Sequence, residues 1–121
     1  MRVLTLIAAL AMATPATAAT ERPAPRPDPA KGAAVFAKWC APCHAPGMRH
    51  PGTAALAAKY NGQLPPELER RSDLTPDMVA LYVRAGISLM APFRKTEISD
   101  PQLADLGAYL SPRPHAKGAR K

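Results

Sequence analysis

Gly32, Val35, Phe36, Trp39 and Cys40 recur at intervals of three and four, the period of one helix face. Just ahead of them Asp28 fits an N-cap and Pro29 a first helical position, so a helix is predicted to start there. A second, shorter helix is expected over TAALAAKYNG, with Thr53 as its cap and Asn61-Gly62 as its stop. Between Gln63 and Asp73 the chain is polar and broken by Pro65-Pro66, which leaves room for one helical turn around Glu67 to Arg70. Thr75-Pro76-Asp77 is a start signal, Val79, Tyr82 and Val83 form an apolar stripe, and Gly86 ends that helix. After a loop, ISLMAPFRKTEI, Ser99 and Gln102 make a capping box ahead of Leu103, Leu106 and Leu110, and Ser111-Pro112 closes the last helix. No strand-like alternation and no internal repeat interrupts this pattern. The expected class is all-α, short helices with long loops, and loops of that length in a small domain need something to wrap.

The two ends read differently. Residues 1–18 carry Arg2, an apolar run from Val3 to Ala13 and an Ala16-Thr17-Ala18 cleavage site, the layout of a secretory signal. That run is too short for a membrane span, and no later segment is longer. Residues 19–29 contain Pro23, Pro25, Pro27 and Pro29, the composition of an extended leader. Residues 30–111 hold the helical pattern of one domain, and residues 112–121 are a basic tail. An exported, periplasmic protein with cleavage near Ala18 is expected. The whole chain of 121 residues has a formal charge of +7. Cleavage removes one of sixteen basic residues and none of nine acidic ones, leaving 103 residues with a charge of +6. That excess favours an acidic partner surface. Nucleic-acid binding is disfavoured, because an exported chain without a recognition motif gives the charge no such role.

The chemistry concentrates in Lys38-Trp39-Cys40-Ala41-Pro42-Cys43-His44, which contains both cysteines of the chain. Trp-Cys-x-Pro-Cys is the form of a thioredoxin-like dithiol site, and Cys-x-x-Cys-His is the form of a c-type haem attachment site. A dithiol site needs a strand leading in and a helix beginning at the cysteines, whose N-terminus lowers the thiol pKa. Here a helix leads into the motif and no sheet is predicted. For haem, two thiols three residues apart can form thioethers with both vinyl groups while the adjacent imidazole reaches the iron. Zinc would need four ligands, and only His50 and His115 remain as further nitrogen donors.

Candidates for the other face of the iron are Met48, His50, Met78, Met90 and His115. Met48 follows His44 by four residues, at most about 14 Å of chain, too little to round the macrocycle, and His50 is hardly better placed. Met78 falls in the first turn of a predicted helix, where methionine is usually core filler. His115 lies in the basic tail. Met90 is 46 positions beyond His44, in a loop stiffened by Pro92, and is the preferred donor.

CAPCH, the downstream HPG, the methionine in GISLMAPF and the terminal helix ISDPQLADLGAYL together resemble a short, single-haem class I cytochrome c. The likeness covers roughly residues 30 to 110. Within that class, HPGTAALAAKY and RSDLTPDMVALYVRAGISLMAPFRKTEISD are similar to the small cytochrome subunits of flavoproteins that oxidise para-substituted phenols, such as 4-cresol dehydrogenase and eugenol hydroxylase. The resemblance implies one haem c held by Cys40 and Cys43, with His44 as proximal and Met90 as distal ligand. It implies that the Pro51 carbonyl accepts the other N–H of His44, and that Gly32 and Phe36 cross the terminal helix near Leu106 and Tyr109. The order Met-Ala-Pro departs from the commoner Met-Pro. Trp39 and Tyr60 are open to two readings, contact with haem propionates or plain core, and Arg70-Arg71 and Arg94-Lys95 read as solvated faces.

A haem with His and Met on its two faces has no open position for substrate, and a thioether ligand favours ferrous iron. The function implied is therefore single-electron transfer, by a carrier that is not a catalyst by itself. The expected donor is a flavoprotein dehydrogenase, and the expected acceptor a downstream cytochrome, a copper protein or an oxidase. A thiol oxidoreductase and a five-coordinate haem sensor or peroxidase-like enzyme are the rival classes.

Overall fold

The computed structural model describes residues 25–111. The expected signal segment over residues 1–18, residues 19–24 of the expected leader, the basic tail and the candidate His115 lie outside the described residues. Five α-helices, α1 to α5, are joined by irregular segments, and no strand occurs among the described residues, so the all-α expectation holds.

Helix α1 (Pro29–Val35) begins where the cap signals put it: the Asp28 side chain accepts the Ala30 N–H at 2.9 Å, and Pro29 needs no partner for a missing N–H. The helix then widens into a π turn, Phe36–Cys40, before the short α2 (Ala41–His44). A 3.6-residue period cannot reveal such a turn in a sequence, and π turns are common at functional sites. Helix α3 spans Pro51–Tyr60 and stops at Asn61, which adopts left-handed geometry at φ 45°. This corrects the expected cap. Proline at position 51 lets the helix start two residues ahead of Thr53. Thr53 is instead buried, and its hydroxyl donates to the Ala45 carbonyl at 2.8 Å.

A 3₁₀ turn (Leu68–Arg70) occupies the polar stretch. Helix α4 (Pro76–Ala85) is capped by the Thr75 hydroxyl, which accepts the Met78 N–H, and ends at Gly86. Helix α5 (Asp100–Leu110) opens on the full capping box, with the Ser99 N–H donating to Gln102 Oε1 at 2.9 Å and the Gln102 N–H to Ser99 Oγ at 3.4 Å.

The frame of the domain is the crossing of α1 over α5. The Asp28 N–H donates to Asp105 Oδ1 at 2.6 Å, tying the two elements across 77 positions of sequence. Gly32 makes the close approach possible, since a Cβ there would meet the Asp105 carbonyl and lie 2.7 Å from Cβ of Tyr109. One turn later the Phe36 and Tyr109 rings pack with centroids 5.8 Å apart. Beneath the crossing the core gathers Val35, Val79, Val83, Leu103 and the fully buried Ile98 and Leu106, and Cys40 is one of its members. Arg71 departs from the solvated-face expectation. It is buried, forks onto Asp73 and lies 4.5 Å from the centre of the Tyr60 ring.

Candidate functional site

The helical run from Phe36 to His44 delivers both thiols and the imidazole on consecutive turns. Cys40 points into the core, Cys43 is exposed, and both are free thiols. The run stops at His44 because Ala45 turns extended, and the chain then doubles back. Two contacts hold that return segment against the motif: His50 Nδ1 lies 3.0 Å from the Pro42 carbonyl oxygen, and Thr53 reaches Ala45. The return brings Gly52 onto the imidazole. A Cβ at position 52 would lie 2.6 Å from Cε1 of His44 and 2.8 Å from its Nδ1, so only glycine fits.

Nδ1 of His44 is buried and has no hydrogen-bond partner. The contact expected from the Pro51 carbonyl is therefore not made in this structure. Pro51 opens α3, where carbonyls point along the helix axis towards its own later N–H groups. Burial pushes the His44 pKa down, which keeps the ring neutral and its lone pair available to a metal.

Met90 sits at the end of a tight turn. Ile87 and Met90 exchange both backbone hydrogen bonds, at 3.0 and 2.9 Å, around Ser88 and Leu89. Ser88 is left-handed at φ 53°, and Leu89 at the tip is 97% exposed. Gly86, with φ 70°, has no room for a side chain, since a Cβ would lie 2.6 Å from the Met90 carbonyl oxygen. Three residues on, the Phe93 ring meets the edge of Trp39, with centroids 5.9 Å apart. The loop of Met90 thus rests on the residue that precedes Cys40. The Met90 side chain is half-buried against the core, and so is Met78, while Met48 is exposed.

A family model described as cytochrome C oxidase, cbb3-type, subunit III matches residues 27–110. The chain belongs to that family. It is thus a c-type cytochrome domain, and a c-type cytochrome carries electrons. No curated protein and no solved structure matches the chain.

The residues of this cytochrome domain fit a haem better than the rival groups. The first cysteine of a dithiol site is normally the exposed nucleophile of lowered pKa. Here Cys40 is buried, its thiol is pushed up to about 11 by burial and then by the neighbouring Cys43, and a helical run leads into it where a dithiol site would have a strand. A bare metal ion lacks donors, because no three His, Cys, Asp or Glu side chains converge among the described residues. A haem brings its own four nitrogens and asks the chain only for thiols and axial donors. Free thiols at Cys40 and Cys43, and a His44 imidazole whose Nδ1 side is packed on Gly52 so that Nε2 is the nitrogen left for a metal, meet that requirement. Apolar side chains at Met48, Ile87 and Leu89, near His44 and Met90 in the chain, are exposed. Gly52 escaped sequence reasoning: HPG marks a turn, but the approach of the imidazole is a long-range contact that no local pattern encodes.

Proposed function

We propose that this chain is an exported, periplasmic carrier of single electrons with one covalently bound haem c, and that it accepts electrons from a flavoprotein oxidising para-alkylphenols. The observation that carries the haem reading is the helical run that sets Cys40, Cys43 and His44 beside Gly52. In this reading Cys40 and Cys43 hold the haem through thioethers, and His44 and Met90 are its axial donors. A haem bound in this way takes up and releases one electron at its iron without exchanging atoms with a substrate. The chain's part is to keep His44 neutral and fixed, to supply a thioether that favours the ferrous state, and to leave no axial position vacant. Export rests on the layout of residues 1–18, and the flavoprotein partner on the resemblance around HPG and Met90.

A second reading is a freely diffusing shuttle between another dehydrogenase and a terminal oxidase; the family description names an oxidase and so supports that acceptor, while the free diffusion rests on the positive charge. No helix among the described residues is long and apolar enough to cross a membrane. One experiment separates the two readings. The holoprotein is mixed with a phenol-oxidising flavoprotein and its substrate, haem reduction is followed against ionic strength, and the mixture is run through gel filtration. Co-elution with rates insensitive to salt supports a tight flavocytochrome. Separate elution with rates that fall steeply as salt screens the positive charge, over a Debye length of about 10 Å at 0.1 M, supports a shuttle. No reduction at any salt concentration sinks the flavoprotein reading.

A further inference from the structure

We infer that Arg84 is the positioning residue that holds the Met90 loop closed on the iron, an inference that rests on reading Met90 as the distal ligand. The guanidinium stands in the last turn of α4 and gathers three acceptors from the segment that follows the loop. Nη1 donates to the Phe93 carbonyl at 3.1 Å, and Nη2 donates to the Ile98 carbonyl at 2.8 Å and to Asp100 Oδ1 at 2.9 Å. Lys95 takes the other carboxylate oxygen of Asp100 at 2.7 Å. These acceptors lie 9, 14 and 16 positions beyond Arg84, so one side chain pins both ends of an irregular stretch that has no helix or sheet ladder of its own.

Phe93 is where the clamp bears on the loop. Its N–H donates to the Val83 carbonyl at 2.8 Å and its carbonyl accepts from Arg84, so both backbone groups are fixed to the end of α4. Its ring is held by Trp39. The loop leaves α4 at Gly86 and is closed again at Phe93, and Met90 lies three residues from that closure, a tether of about 10 Å that Pro92 stiffens. Hydrogen bonds from a charged donor are among the stronger ones, and removing this donor leaves two partly buried carbonyls without it. Lysine keeps the charge but cannot reproduce a planar fork spanning two carbonyls and a carboxylate. Arg84 thereby keeps the iron six-coordinate, and the protein an electron carrier rather than a binder of small ligands.

The test compares holoproteins of the natural sequence, Arg84→Leu, Arg84→Lys and Met90→Ala. Three measurements are made on each: the near-infrared sulfur-to-iron band of the ferric form, the rate of carbon monoxide uptake by the ferrous form, and covalent haem content. Met90→Ala is expected to lose the band and bind carbon monoxide freely. Arg84→Leu is expected to keep its haem, show a weakened band and take up carbon monoxide about tenfold faster than the natural protein, the effect of losing roughly one charged hydrogen bond from the closed loop. Arg84→Lys should fall between them. If Met90→Ala opens the iron while Arg84→Leu excludes carbon monoxide as the natural protein does, the Arg84 inference is overturned and the ligand reading stands. If Met90→Ala retains the band, the ligand reading fails and the inference fails with it. Should Arg84→Leu not be recovered as holoprotein, Arg84→Lys decides, and natural carbon monoxide exclusion in that variant overturns the inference.

Discussion

A methyl group at position 52 would lie 2.6 Å from Cε1 of His44, 2.7 Å from the Cys43 carbonyl oxygen and 2.8 Å from Nδ1 of His44. Either the imidazole turns or α3 retreats, and overpacking of this kind costs about 1–3 kcal/mol. Gly52→Ala is therefore expected to lower the yield of holoprotein and to shift the ligand-sensitive bands of what is recovered, and normal yield with an unshifted spectrum would refute the seat. A second residue-scale effect concerns Arg71 and Asp73, whose fork hydrogen bonds hold the Asp73 carboxyl below its ordinary value. A depressed carboxyl pKa stabilises the fold above the unfolded value, and this contribution is lost as pH falls through the folded one. Thermal midpoints measured from about pH 6 to about pH 2 should drop less steeply below about pH 4 in Asp73→Asn than in the natural protein. Identical slopes would mean that the pair contributes nothing. The cysteines and His44 were legible as candidates from adjacency alone, and Met90 as a candidate from chain reach. The seat at Gly52 and the burial of Arg71 were not, because each depends on what a distant segment brings alongside.

At the scale of elements, caps and crossings dominate. Gly32 passes so close to α5 that an added Cβ meets the backbone of Asp105, whereas one at Gly107 would meet Cα of Pro76 at 3.2 Å. Alanine is intrinsically better in a helix by about 1 kcal/mol, but backbone in the way cannot yield as a side chain can. Gly32→Ala should thus destabilise the protein by about 1–3 kcal/mol, roughly 4–8 °C in melting temperature per kcal/mol, and by more than Gly107→Ala does. A rise in melting temperature for Gly32→Ala would contradict the crossing as described. Asp28, Thr75 and Ser99 each cap where the sequence placed them, since a cap is a contact over two or three residues that local pattern encodes. Thr53 was misread because the same hydroxyl that suits a cap also suits a buried bond to Ala45. The π turn at Phe36–Cys40 was invisible for a different reason: an apolar period near 3.6 does not distinguish one wider turn from continuous α-helix.

For the molecule as a whole, the all-α frame followed from stop and start signals, while the course of the loops did not. The segments around His44 and Met90 are held by Thr53, Trp39 and Arg84, contacts that only the fold creates. Cys40 belongs at once to the core and to the Cys-x-x-Cys-His motif, so the fold and a covalently bound haem are expected to depend on each other. The most direct test is to unfold the purified protein in denaturant, separate it from anything bound non-covalently, and record the alkaline pyridine haemochrome spectrum against protein concentration. One haem c per chain is expected to stay with the polypeptide, and that retention to be lost when Cys40 and Cys43 are both replaced by alanine. A denatured chain free of haem, with two titratable thiols in their place, would contradict covalent attachment.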